Sequence, residues 1–140
     1  MAQVVAEHFA DDAKLKKICH IESAGLSAGR LGEPVDPRAV AVLTRRGYRP
    51  AKRKSRSIAD KDFAKFDLIL AMDQANLQGL QKRCPPEHRH KLRLFLEFAP
   101  AAGLKEIPDP YYGPVQGFEN VLDLCEAGSR GLIAHVKSMA

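Results

Sequence analysis

The chain has 140 residues, of which 45% are apolar, 28% charged and 6% aromatic, and its formal net charge is +5. This size and composition predict one folded domain, residues 1–140, and disfavour intrinsic disorder. No apolar stretch is long enough to span a membrane, acidic residues interrupt the only apolar stretch near the N-terminus, and three cysteines make no disulfide framework. We therefore expect a reduced, soluble, cytoplasmic protein.

The spacing of apolar residues predicts helices alternating with short strands. The expected helices and helical turns, in chain order, are 1–17, 36–46, 60–66, 73–84 and 118–137. The expected strands are 18–23, 68–71 and 92–98, with loops at 25–35 and 100–117. The apolar run 68–71 is typical of a strand that is buried on both faces. This order predicts an α/β fold with a parallel sheet that is covered on both faces and binds ligands at the carboxyl ends of its strands.

A basic segment runs from Arg45 to Arg56. Seven of its twelve residues are positively charged and none is acidic; they are Arg45, Arg46, Arg49, Lys52, Arg53, Lys54 and Arg56. Without these seven, the chain would carry 15 basic and 17 acidic residues, so the positive charge is local. Such a segment is either a solvated loop or an attractor of phosphate groups. Nucleic-acid binding is disfavoured, because no aromatic stacking platform accompanies the charge.

The segment 108–113 reads Pro-Asp-Pro-Tyr-Tyr-Gly. Two prolines restrict the backbone around Asp109, and the two tyrosines could form a wall against a planar ring. A carboxylic acid beside an aryl slot suits protonation of a phenolate leaving group. Taken alone, the segment could equally be a rigid surface turn.

Further segments, taken in order, carry a resemblance to a known family. They are Met1-Ala2, Ser23-Ala24-Gly25, Asp36-Pro37-Arg38-Ala39, Arg56-Ser57-Ile58, the run from Phe66 to Asp73, Asn76-Leu77, the segment 108–113 and Gly117-Phe118. Together they resemble the low-molecular-weight protein tyrosine phosphatases over nearly the whole chain. The resemblance implies a three-layer α/β/α fold with a parallel sheet.

The resemblance also implies a reaction. In that family a cysteine thiolate attacks the phosphorus of phosphotyrosine, and the residue matching Asp109 acts as general acid and then general base. Tyr111 and Tyr112 would flank the substrate, with Ser23 and Asn76 in supporting positions. The implied substrate is a phosphotyrosine protein or an aryl phosphate, without a metal or an organic cofactor.

The sequence departs from the family at its start. The family's phosphate loop reads Cys, five residues, Arg, Ser or Thr, Pro, Met, Ala, and Met1-Ala2 matches its last two residues. The first central strand, the nucleophile and the arginine are thus expected to be absent. Cys19, Cys84 and Cys125 have no arginine six positions later, so they are expected to be structural thiols. Cys84, His88 and His90 could hold zinc, but no fourth ligand is evident.

The chain as written is therefore predicted to be inactive and N-terminally truncated. Either the parent protein is an active phosphatase and the present sequence begins at one of its internal methionines, or the chain is a non-catalytic relative that binds or assembles with a partner. An arsenate reductase is disfavoured, because the resolving cysteines are also missing. Loss of a central strand would remove about 10 kcal/mol of stabilisation from apolar burial, whereas the net stability of a domain is about 5–15 kcal/mol. The chain alone is therefore expected to be marginally stable, rearranged or completed by another strand. The sequence does not indicate an oligomeric state.

Overall fold

The computed structural model describes residues 1–15, 17, 19–25, 37–49, 56–107 and 115–139, with main chain only at 115 and 116. The described helices are α1 (Ala2–Asp12), α2 (Pro37–Arg45), α3 (Asp62–Lys65), α4 (Gln74–Arg83) and α5 (Val115–Met139). The strands are β1 (Ile69–Ala71) and β2 (Leu92–Leu94), and three short 3-10 helices cover Pro86–Lys91, Phe95–Phe98 and Pro100–Ala102. The predicted class, α/β with a parallel sheet, is confirmed.

The sheet has two parallel strands in the described part of the chain, with Ile69 opposite Leu92 and Ala71 opposite Leu94. The strand predicted over 18–23 is wrong for 19–23, which have no strand partner among the described residues; residue 18 lies outside them. A single parallel bridge follows instead, between Gly25 and Ser57. Two apolar residues in a short segment therefore overstated its tendency to pair, since strand formation depends on a neighbour.

Side chains of β1 alternate between two apolar clusters. Ile69 and Ala71 pack with Phe63 of α3 and Leu80 of α4. Leu70 packs on the opposite cluster, to which α1, α2, α5 and the 3-10 helix Phe95–Phe98 contribute buried residues, including Val5, Val42, Leu122 and Phe95. Helices therefore cover both faces of the sheet. The burial of β1 is less complete than predicted, because Ile69 and Leu70 are only half-buried while Ala71 is buried.

The helix ends follow local chemistry. The Asp73 carboxylate accepts a hydrogen bond from the Asn76 amide at 2.7 Å, so the predicted cap of α4 is confirmed. Helix α1 begins without a side-chain cap and ends at Asp12, earlier than predicted, because Lys14 adopts a left-handed φ of 60°. Helix α5 begins at Val115, three residues before the predicted start.

The run predicted as a strand over 92–98 divides into two elements. Only Leu92–Leu94 pairs with β1, and Phe95–Phe98 turns into a 3-10 helix. The Glu97 carboxylate reaches back to accept a hydrogen bond from the Leu94 amide at 3.3 Å. This bond closes a tight turn that ends the extended chain, and it places Phe95 and Leu96 in the larger cluster.

Candidate functional site

The carboxyl end of β1 is held against residues 106 and 107. The Ile107 amide donates a hydrogen bond to the Met72 carbonyl at 2.9 Å. The Glu106 carboxylate accepts a bond from the Gln74 amide at 2.8 Å, at the first turn of α4. Ile107 is buried, so the residue immediately before the segment 108–113 is held in place. Parallel α/β sheets bind ligands at this end of their strands.

The three residues on which the predicted chemistry depends, Asp109, Tyr111 and Tyr112, lie outside the described residues. The residues on both sides of them are described. Ile107 is fixed at the end of β1, and Val115 begins α5. The predicted general acid thus lies two positions after an anchored residue, in the segment that connects Ile107 to α5.

Of the two predicted supporting residues, Ser23 joins the chain before Gly25 to α1. Its hydroxyl donates a hydrogen bond to the Gln3 side-chain oxygen at 2.6 Å, and Gln3 donates to the Ile21 carbonyl at 3.1 Å. Residues 21–23 are thereby tied to the first turn of α1. The main-chain amide of Asn76 donates a hydrogen bond to the Asp73 carboxylate at the start of α4. The two residues thus make their bonds at different helix starts.

The three cysteines are poor nucleophiles. Cys125 is 1% exposed, and burial raises the pKa of its thiol to about 11. Burial also raises the pKa of Cys19, and that of Cys84 despite the opposing charges of Arg89 and Lys91. The thiolate is the reactive form of cysteine, and a raised pKa makes this form scarcer at neutral pH. The interpretation of these thiols as structural stays a prediction.

Part of the basic segment is neutralised by carboxylates. Arg45 and Arg46 bind Glu119 at 2.8 and 2.9 Å, and Arg56 binds the buried Asp62 at 3.0 Å. Arg49 is exposed, and Lys52, Arg53 and Lys54 lie outside the described residues. The segment thus offers fewer unpaired charges than the sequence suggested.

Neither a metal-ligating cluster nor a membrane-spanning helix is found among the described residues. Cys84, His88 and His90 do not assemble into a metal-ligating group, and no other set of three or more His, Cys, Asp or Glu side chains does so there. No helix in this part of the chain is long and apolar enough to cross a membrane.

Comparison with known proteins decides the family. The model of the family "Low molecular weight phosphotyrosine protein phosphatase" matches residues 1–140. The chain belongs to this family. It is 37% identical over 140 residues to a low molecular weight protein-tyrosine-phosphatase of Streptomyces coelicolor, a match that covers 98% of this chain and 85% of that protein. It is 32% identical over 127 residues to the human low molecular weight phosphotyrosine protein phosphatase, covering 89% of this chain and 79% of that protein.

Solved structures give the same fold. A protein tyrosine phosphatase from Entamoeba histolytica, crystallised with Hepes in its active site, superposes with a TM-score of 0.94 at 32% identity, covering 98% of this chain and 87% of that one. A low molecular weight phosphotyrosine phosphatase from Vibrio cholerae superposes with a TM-score of 0.90 at 30% identity, covering 99% and 88%. The predicted family is confirmed.

Two anchoring residues of this phosphatase-family chain were missed by sequence reasoning. Glu106 and Gln3 each bind a group far away in sequence, at 32 and 20 residues' separation. Only the position of Glu106, just before the proline-rich segment, could have drawn attention to it. Long-range side-chain bonds leave no periodic signal in a single sequence.

Proposed function

We propose that this chain carries the acid-base and substrate-binding half of a phosphotyrosine phosphatase site. A cysteine thiolate from a Cys-(x)5-Arg loop outside these 140 residues attacks phosphorus, and Asp109 gives its proton to the departing tyrosyl oxygen. The Asp109 carboxylate then takes a proton from the water that hydrolyses the phosphocysteine. Tyr111 and Tyr112 line the slot for the aryl ring, and Ser23 and Asn76 support the site.

The observation that carries this proposal is the hydrogen bond from Ile107 to Met72 at the carboxyl end of β1. It supports a position for Asp109 beside the edge of the sheet where an α/β protein binds its ligand. The bond between Glu106 and Gln74 gives this edge a second attachment.

We further propose that the 140-residue chain has no phosphatase activity by itself. No cysteine in it is followed by an arginine six positions later. Burial raises the pKa values of Cys19, Cys84 and Cys125, which disfavours the thiolate that attack on phosphorus requires. Activity would require a Cys-(x)5-Arg loop from sequence beyond these residues, together with the first central strand of a three-layer fold.

Hydrolysis of p-nitrophenyl phosphate tests both parts. We expect background rates for the 140-residue chain, and clear turnover at this chain length would overturn the proposed inactivity. The upstream nucleotide sequence, translated in frame, is expected to encode Cys-(x)5-Arg-Ser-Pro, and a protein extended by it should be active. In the extended protein, Asp109→Asn should lower kcat about 100-fold or more, whereas the same change at Asp67, an exposed residue before the amino end of β1, should leave kcat within about twofold. An unchanged kcat for Asp109→Asn would refute its role.

A second candidate is a non-catalytic protein that binds phosphotyrosine. It is favoured by the lack of a cysteine followed six positions later by an arginine in the 140 residues. Titration of the chain with a phosphotyrosine peptide, in competition with phosphate and with tyrosine, separates the candidates. Saturable binding that both competitors relieve, with an in-frame stop codon immediately upstream of Met1, would support it.

We also propose a single domain, residues 1–140, in the cytoplasm.

A further inference from the structure

A second basic surface lies on the helix that follows β1. An open depression of about 530 Å³ is lined by two amides and two cations: Gln78, Gln81 and Lys82 of α4, and Arg89 of the 3-10 helix Pro86–Lys91. We name these four residues the α4 cradle. The positions 78, 81 and 82 share one face of α4, because residues three and four apart are neighbours on a helix.

The two cations of the α4 cradle differ from their basic neighbours. Arg83 binds Asp60 at 3.3 Å, Lys91 binds the Phe63 carbonyl at 2.8 Å, and Arg93 binds Glu97 at 2.9 Å. Lys82 and Arg89 are exposed and have no ion-pair partner within the described ranges. Their charges are therefore available to a ligand.

The α4 cradle is separate from the proposed phosphatase site. Helix α4 starts at the carboxyl end of β1, where Asp73 caps it, and leads away from that end of the sheet. The 3-10 helix that carries Arg89 directly precedes the amino end of β2. A ligand in the cradle would thus lie towards the opposite end of the strands from Met72 and Ile107.

We propose that the α4 cradle binds an acidic segment of another protein. Carboxylates would pair with Lys82 and Arg89, while the amides of Gln78 and Gln81 can both donate to and accept from a peptide main chain. Stacking of nucleic-acid bases would require an aromatic platform, and none lines the cradle. Insertion into a membrane surface would require apolar side chains, and the large apolar residues exposed in the described chain, Leu104 and Met139, lie elsewhere.

The proposal does not depend on catalysis, so binding to the 140-residue chain tests it directly. The probe is a short fluorescein-labelled peptide of alternating Glu and Gly, followed by fluorescence anisotropy at low salt. We expect saturable binding that weakens as salt is raised, because exposed charges are screened. The same peptide with Gln in place of Glu is expected to bind at least tenfold more weakly. Equal binding of the two peptides would overturn the proposal.

Charge reversal locates the site. The double variant Lys82→Glu and Arg89→Glu should weaken binding of the acidic peptide at least tenfold. The matched control, Lys17→Glu with Lys137→Glu, makes the same change in net charge at two other exposed cations and should leave affinity within about twofold. Equal losses in both variants would show attraction by net charge alone and would refute the α4 cradle.

Two further arms exclude other partners. The double variant Gln78→Ala and Gln81→Ala should weaken binding of the peptide by a smaller factor than the charge reversal does. Thermal melts followed by circular dichroism check that all variants remain folded. Single-stranded RNA and vesicles containing phosphatidylserine are titrated in parallel. Tighter binding of either one, lost in the Lys82 and Arg89 variant, would assign the cradle to that ligand and overturn the peptide proposal.

Discussion

The guanidinium group of Arg46 holds the carboxylate of Glu119 with two nitrogens, Nε at 3.2 Å and Nη2 at 2.9 Å from the same oxygen. Its third nitrogen contacts Asp123 at 2.6 Å and Glu126 at 2.8 Å. One arginine after α2 thus binds three carboxylates along α5. The Arg46 side chain is 27% exposed, so these bonds are partly shielded from solvent.

We expect Arg46→Ala to lower the free energy of unfolding by about 2 kcal/mol, because it leaves three neighbouring carboxylates without a common cation. Urea denaturation measures the change. The control is Arg45→Ala, since Arg45 is 59% exposed and binds Glu119 alone, and it should cost about 0.5 kcal/mol or less. Equal costs for the two variants would contradict the network.

A close approach between α5 and the 3-10 helix Phe95–Phe98 predicts a second effect. A Cβ atom at Gly131 would lie 1.7 Å from the Phe98 carbonyl oxygen, whereas one at Gly128 would lie 2.3 Å from the Phe95 ring. Backbone cannot move aside as a ring can. Gly131→Ala should therefore cost about 3 kcal/mol or more, and Gly128→Ala less, despite the helix propensity that Ala adds. Thermal melts that ranked the two variants in the opposite order would refute this.

The buried Asp62 predicts a loss of stability in acid. Burial alone would raise the pKa of its carboxyl, but hydrogen bonds from the Ala59 amide at 2.7 Å and from Arg56 at 3.0 Å lower it below its ordinary value. Since the folded state holds its proton less tightly than the unfolded state, stability from Asp62 is present above about pH 4 and is lost as the pH falls through the folded pKa.

Urea denaturation between about pH 5 and pH 3 checks this. The free energy of unfolding should fall more steeply with acid in the wild-type chain than in Asp62→Asn, which cannot ionise. Asp67→Asn, at an exposed position, is the control and should retain the wild-type slope. A parallel slope in Asp62→Asn would show that Asp62 is not a source of acid sensitivity.

The thiols offer a direct test of the structural assignment. At neutral pH, iodoacetamide should modify the half-buried Cys19 first and should leave Cys84 and Cys125 largely unmodified in the folded chain. Mass spectrometry gives the site of each adduct. In denaturant all three should react at similar rates, which serves as the control. Rapid labelling of Cys125 in the folded chain would contradict its burial and its raised pKa.

Calorimetry tests the stability of the chain alone. Strand β1 has one strand neighbour in the described part of the chain, and its Ile69 and Leu70 are only half-buried. This incomplete burial is expected to give a broad or low transition, below about 50 °C. A single sharp transition of a monomer above that temperature would refute the expected marginal stability.

Sequence patterns predicted the helices well, because an apolar stripe and a cap are local. Asp73 was identified as a cap from its position alone, and the structure confirms the bond. The strand predicted over 18–23 was wrong because strand pairing depends on a neighbouring strand, which a local sequence pattern does not describe. The strand predicted over residues 95–98 was wrong because the hydrogen bond from the Leu94 amide to the Glu97 carboxylate closes a turn there.

The candidate site divides in the same way. The proline-rich segment around Asp109 was visible as a motif, and the family to which it pointed is confirmed. The attachment of that segment through Ile107 and Glu106 was not visible, because both bonds join residues more than 30 positions apart. The ion pairs of Arg45 and Arg46 were likewise hidden, so their charges appeared free in the sequence.

The alternation of β1 between two apolar clusters has a consequence for how the chain opens. Because Leu70 belongs to one cluster and Ile69 with Ala71 to the other, the loss of either layer of helices would expose apolar side chains of the same strand to water. The sheet therefore couples both halves into one cooperative unit. Its amide protons should exchange with solvent through global unfolding, whereas those at the uncapped start of α1 should exchange by local fraying.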